Sequence, residues 1–155
     1  MEDWSLPPSW TTTKIVEVLT PNSNGKPFQQ GFSPQCDPRA AGPHEWGVLK
    51  TTAIQENDFW DNQNKRLPDA IPPRAHLEVA SGDILMTCAG PRSRCGVACF
   101  VRRTRSKLLL SGKMYRFRAD PEGMESRFLM HFLATRRAQA AIDRMKTGIN
   151  DSGLN

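Results

Sequence analysis

Between Asp83 and Asp120 the chain contains no aspartate or glutamate. It has one tyrosine, three histidines, and no apolar run near the roughly 20 residues that a membrane-spanning helix needs. Each absence excludes something. His44, His76 and His131 are too far apart to form a metal-ligand spacing, and Cys36, Cys88, Cys95 and Cys99 contain no Cys-x-x-Cys pair. Buried, reduced thiols and a cytoplasmic setting are expected instead, with no bound metal. SNGKPF lacks the spacing of a phosphate loop, and no Gly-x-Ser-x-Gly elbow is present. Pro72-Pro73 sits between Ile71 and Arg74, where the Pro-Pro motif of adenine methylation sites needs a polar residue before it and an aromatic after it. It reads as a rigid extended linker. No catalytic constellation can be assembled, so the chain is read as non-enzymatic and without a cofactor of its own. The start, MEDWSLPPSW, is acidic and proline-rich, unlike a signal or transit peptide.

What is present is an uneven charge. The chain has 155 residues, enough for one domain with its own core, and a net charge of +5. Nine of its 21 lysines and arginines lie in the acid-free strip, so the remainder sets 12 cations against 16 acids and is net negative. Such a concentrated field suits a polyanion. The strip reads as strands and turns rather than as a cationic amphipathic helix, which favours nucleic acid over a membrane surface.

The expected fold is α+β: short, mostly antiparallel strands forming a twisted sheet, irregular loops, and one long C-terminal helix. Ser9 or Thr11 would cap a short helix over 14–19. Residues 20–45 read as an irregular loop too polar to build core, and 55–76 as loop with one turn of helix. Strands are expected at 46–49, 84–88, 96–101, 108–110 and 113–118, with a turn at Ser81-Gly82-Asp83 in which Asp83 bonds its own turn. In KMYRFR, alternation puts Arg116 and Arg118 on one face, expected to be solvated or to meet a ligand. Asp120-Pro121-Glu122 looks like the start of a helix over 121–147, stopped at Thr147-Gly148. Phe128, Leu129, Phe132 and Leu133 share one arc of that helix, and Arg136 falls within it.

Six segments occur in order along nearly the whole chain: LPPSW, HEWGVLKTTAI, NKRLP, SGDILMTCAGPRSRCG, LLLSGKMYRFR and MKTGINDSGLN. Together they resemble the target-recognition domain of the specificity (S) subunit of type I restriction–modification systems. The resemblance implies sequence-specific binding of duplex DNA, with one such domain reading half of a bipartite site. It implies partners too: methylation subunits that carry S-adenosylmethionine, an ATP-using restriction subunit, and a second recognition domain joined by a spacer helix. The chain is then one domain over 1–155, a fragment or the product of a short reading frame, with its last helix leading toward an absent spacer.

The stretches after WGVLK and GDIL lie on the DNA side in the family, so Lys50, Thr52, Arg92 and Arg94 carry over as candidate contacts. Ser93, Lys65, Arg66, Arg102, Arg103 and Arg105 join them on charge and polarity, and Gln29-Gln30-Gly31 is a third polar loop. On this reading, reversing Arg92 and Arg94 to Glu removes DNA binding and leaves the fold intact. The alternatives are an RNA-binding module, disfavoured by the lack of an aromatic strand pair for stacking bases, and a basic scaffold for other proteins.

Overall fold

A computed structural model describes residues 5–149 and 151–154. The first four residues of the acidic start, and Asn150 and Asn155 of the last motif, lie outside the described residues. The strands are short: β1 Gln29–Gln30, β2 Gly47–Leu49, β3 Ile54–Gln55, β4 Asp58–Phe59, β5 Asn64–Arg66, β6 Ile84–Thr87, β7 Ala89–Pro91, β8 Ala98–Phe100, β9 Leu108–Leu109 and β10 Met114–Phe117. Two helices follow, α1 Ser126–Leu133 and α2 Arg136–Met145, and then β11 Asp151–Gly153. Three 3-10 turns cover Ile15–Val18, Thr51–Ala53 and Ala75–Leu77.

The centre is an antiparallel sheet in the order β1-β10-β6-β8. The pleat sends alternate residues to opposite faces, and both faces are covered. Leu85, Cys99 and Met114 enter one cluster with Val48, Leu49, Ile54, Leu77, Val79 and Leu108 to Leu110. Ile84, Met86, Ala98 and Phe117 enter a second with Leu19, Leu129, Met130, Leu133 and Ile142. This explains why β6 opens Ile84-Leu85-Met86 without a polar alternate: a strand covered on both sides is apolar on both faces, and the polar Thr87 at its end is buried with its hydroxyl bonded to backbone carbonyls. Each large side chain buried this way contributes roughly 1.5–3 kcal/mol. Around the sheet lie β5-β2-β9, in which β2 and β9 run parallel, a β3–β4 hairpin, and the β7–β11 pair.

The α+β class and the mostly antiparallel strands agree with expectation. The single long helix does not. Thr135 has extended backbone, accepts a hydrogen bond from the Ala138 N–H on its Oγ1 (3.2 Å), and donates from that hydroxyl to the Phe132 carbonyl (2.7 Å). One side chain therefore closes α1 and caps α2. The chain turns there, so the arc drawn on a continuous helix is false. Leu129 and Leu133 are buried, while Phe128 and Phe132 are 63% and 48% exposed and Arg136 is exposed. α1 begins later than expected, with the Glu125 carboxylate accepting from the Phe128 N–H (2.7 Å); Asp120 bonds only its own turn. The first helix is a 3-10 turn from Ile15, where Glu17 accepts from the Lys14 N–H and the Thr13 hydroxyl, and Ser9 and Thr11 play no capping part.

Two presumed loops also contain structure. Within 20–45, β1 forms an edge of the central sheet, and Phe28 and Phe32 pack on the cores. The Gln30 side chain donates to the Gly112 carbonyl (2.7 Å), so Gln29-Gln30-Gly31 is not a free tip. Within 55–76, β4 and β5 pair with β3 and β2. Arg116 faces inward: it stands opposite Leu85 in the register and is 5% exposed. Arg116 is therefore not the solvated residue expected, whereas Arg118, just beyond the end of β10, is exposed as expected.

Gly31 lies against the Leu110 backbone so closely that a methyl group would overlap the Leu110 carbonyl oxygen. A Gly31→Ala variant is expected to lose about 3 kcal/mol or more, because backbone must move on both sides. Urea unfolding measures this; an unchanged midpoint would contradict the docking of β1.

Candidate nucleic-acid interface

The nine cations of the acid-free strip divide into two groups. Six are engaged within the molecule. Arg94 donates to the carbonyls of Thr51 (3.0 Å) and Ile54. Arg92 donates to the carbonyls of Gly148 (3.1 Å) and Asp143 (3.2 Å) and lies 3.4 Å from the Asp143 carboxylate. Arg105 donates to the carbonyls of Glu45 (3.2 Å), Ser106 (2.9 Å) and Ala41 (3.4 Å), and Lys107 to that of His44 (2.9 Å). Arg116 donates to the carbonyls of Glu78 (2.8 Å) and His76 (3.1 Å). Arg118 pairs with the fully buried Asp83, which also accepts from the Ala80 N–H, the local turn bond expected of it. Among the described residues, Arg102, Arg103 and Lys113 have no such side-chain partner, and all three are exposed.

Arg66 is also engaged. Its guanidinium reaches Asp37 (2.7 Å), Glu45 (2.8 Å) and Asp69 (2.8 Å), and its side chain is 15% exposed. These carboxylates raise its pKa further, Asp37 first. Glu45 is held far below the usual carboxylate range, first by Arg39, then by the Gly42 N–H and by Arg66. Arg66 therefore stands in a closed ion-pair network.

Exposed lysines gather at the open ends of β2 and β5. A cleft of about 360 Å³ is lined by Lys50, Lys65 and Lys113 with Ser33, Gln35, Thr51 and Ser111, and no acid lines it. The β2–β5 register brings Lys50 and Lys65 together: Val48 stands opposite Lys65 and Leu49 opposite Asn64. β10 begins at Met114, which places Lys113 at its entrance. At the rim, the Thr52 hydroxyl donates to Gln63 Oε1 (2.9 Å), and Lys50 Nζ lies 3.5 Å from the same oxygen. Arg102 and Arg103 line a separate cleft of about 440 Å³ with Phe59, Phe100, Asp58 and Asp61, where the acids offset their charge. Trp60, 47% exposed, donates from its indole to Asp58 (2.9 Å).

The candidate residues are thus dispersed. Lys50, Thr52 and Lys65 come together. Arg102 and Arg103 form a second patch, Ser93 is exposed on the turn between Arg92 and Arg94, and Arg66, Arg92, Arg94 and Arg105 are tied into the fold. Reversing Arg92 and Arg94 to Glu would set carboxylates against carbonyl oxygens, so the fold is not expected to survive the change intact. Sequence reasoning missed Lys113, Ser111, Gln35 and Gln63. The amide-rich DNQ before NKR was a signal for Gln63; nothing local marked the other three as neighbours.

No group of three or more His, Cys, Asp or Glu among the described residues is arranged to hold a metal. All four cysteines are free. Burial pushes the Cys88 thiol up to about 11 and, with the charge of Asp58 adding, Cys99 up to about 12. Among the described residues no helix is long and apolar enough to cross a membrane.

No protein-family model matches the chain. It is 36% identical over 154 residues to the type I restriction enzyme EcoEI specificity subunit of Escherichia coli, covering 98% of this chain and 25% of that protein. The chain therefore spans about a quarter of the length of the curated relative it matches. The crystal structure of the type I restriction–modification S subunit from M. genitalium aligns with a TM-score of 0.54, covering 97% of this chain and 33% of that one at 13% identity, which is a likeness of fold.

Two measurements check the charge assignment. Arg94→Met should lower stability by roughly 2–3 kcal/mol, since two carbonyls lose a charged donor, whereas Arg102→Met should stay within about 0.5 kcal/mol of the parent. Equal effects would contradict the division. Glu45 has a lowered folded-state pKa, so its contribution is present above the unfolded value of about 4.3 and is lost as pH falls. Glu45→Gln should therefore melt earlier than the parent at pH 7, and the gap should close on acidification below about pH 4. A gap independent of pH would exclude the network as its source.

Proposed function

The chain belongs to the type I restriction specificity subunits as a target-recognition domain, and from that premise we propose that it binds duplex DNA sequence-specifically through the cleft of Lys50, Lys65 and Lys113. Its role is non-catalytic. It reads half of a bipartite site and directs adenine methylation and cleavage by partner subunits, which carry S-adenosylmethionine and ATP in the cytoplasm. The supporting observation is the acid-free lining of this cleft, where three exposed lysines flank hydroxyl and amide side chains. Lysines neutralise phosphates and release counterions, while the amides and hydroxyls reach base edges. Arg102 and Arg103, on their separate cleft, are further exposed cations available to phosphates.

Protein partners have a separate candidate surface. Phe128 and Phe132 lie one turn apart on the outer face of α1, away from the buried Leu129 and Leu133. They supply an apolar patch of the kind methylation or restriction subunits, or a second recognition domain, would cover.

The test is binding of the full chain to a pool of random duplex DNA, followed by sequencing of what is retained. If Lys65, Lys113, Arg102 and Arg103 each neutralise a phosphate, log affinity should fall with log salt at a slope of about −3.6. Lys65→Glu with Lys113→Glu should flatten the slope and weaken binding at least tenfold. Unchanged affinity in that double variant would refute this face. A complex with protein that is insensitive to salt, without any DNA binding, would favour a scaffold.

A further inference from the structure

Gln63 and Lys50 form one fixed unit at the rim of the cleft. The Lys50 N–H donates to the Gln63 carbonyl (2.9 Å), continuing the β2–β5 ladder by one residue and setting the two side chains across from each other. The amide end of Gln63 lies between two partners, Thr52 Oγ1 at 2.9 Å and Lys50 Nζ at 3.5 Å. An ammonium carries donors only. The amide atom facing it must therefore be the oxygen, which settles the orientation that an isolated glutamine leaves ambiguous. The amide NH2 is left on the other side. Thr52 has spent its hydroxyl hydrogen on Gln63, so it positions the amide.

The edge offered to a ligand consequently carries donors: the Gln63 NH2 and the remaining Lys50 N–H groups. The major groove presents paired acceptors on one base, guanine, through N7 and O6. Adenine sets its N6 donor beside N7, cytosine offers the N4 donor, and thymine offers a single O4 with a methyl group beside it. We infer that Gln63 and Lys50 read a guanine in the recognised half-site, with Thr52 as the positioning residue. The inference rests on the DNA-binding reading above and adds the base that this part of the surface selects.

Selection from random duplex DNA, run in parallel on the parent, Gln63→Ala, Gln63→Glu and Thr52→Val, tests it. The parent should enrich a motif containing a guanine preferred by roughly tenfold to a hundredfold. Gln63→Ala should lose the preference at that position and keep the rest of the motif. Gln63→Glu should shift that position toward cytosine, whose N4 donor a carboxylate accepts. Thr52→Val should weaken the same position without moving the others. Melting temperatures near the parent's show that each variant is folded. If the parent enriches a motif and all three variants enrich it unchanged, the inference is overturned while the DNA-binding reading stands. If the parent retains DNA without any motif, base reading by this pair is likewise overturned. If the parent retains no DNA, the functional reading itself fails, and this inference with it.

Discussion

The fold depends on guanidinium groups bonding to backbone carbonyls. Much of the chain is irregular, and irregular backbone leaves carbonyls without ladder partners. A buried carbonyl without a donor costs about 1–3 kcal/mol. An arginine carries five donors in a rigid fork, enough to serve two or three carbonyls from separate segments. Arg94 fixes 51–54 to the turn between β7 and β8, Arg116 fixes 76–78 to β10, Arg105 and Lys107 hold 41–45, and Arg92 holds the end of α2. These bonds do the work of secondary structure where the strands are only two or three residues long.

That accounts for most of the acid-free strip. An acid among these arginines would draw guanidiniums away from the carbonyls they satisfy, so the lack of acids belongs to the architecture as much as to any ligand. The cations left over are fewer and differently placed. Lys113 comes from the strip, but Lys50 and Lys65 come from the β2–β5 pair, outside it. The proposed DNA face is thus assembled from distant parts of the sequence. It is also rigid: its rim is a paired ladder with a glutamine amide fixed in one orientation. Rigid placement is what base reading needs, because a donor must meet its acceptor within a few tenths of an ångström.

Strong local signals made parts of the fold legible. The turn at Ser81-Gly82-Asp83, the apolar run of β6 and the break at Thr147-Gly148 follow from residue chemistry over a few positions. So did the six ordered segments that mark the family. The failures were non-local or rested on one atom. Thr135 looked like an interior helix residue until its hydroxyl was seen to close one helix and open another. Arg116 looked solvated because alternation gives two faces but does not say that both are buried. Arg66, Arg92, Arg94 and Arg105 looked like ligand contacts because a sequence shows charge and hides the carbonyl or carboxylate that meets it. The pairing of β7 with β11 spans some 60 residues of chain, beyond any local pattern.

Lysine acetylation mapped by mass spectrometry, with and without excess duplex DNA, tests the central claim most directly, because it reads which cations are free and which of those face the ligand. The account predicts that Lys50, Lys65 and Lys113 are modified in the free chain and protected by DNA, while Lys14 and Lys26 react equally in both. Protection of Lys14 and Lys26, with Lys50, Lys65 and Lys113 unchanged, would place the DNA on another surface and contradict it.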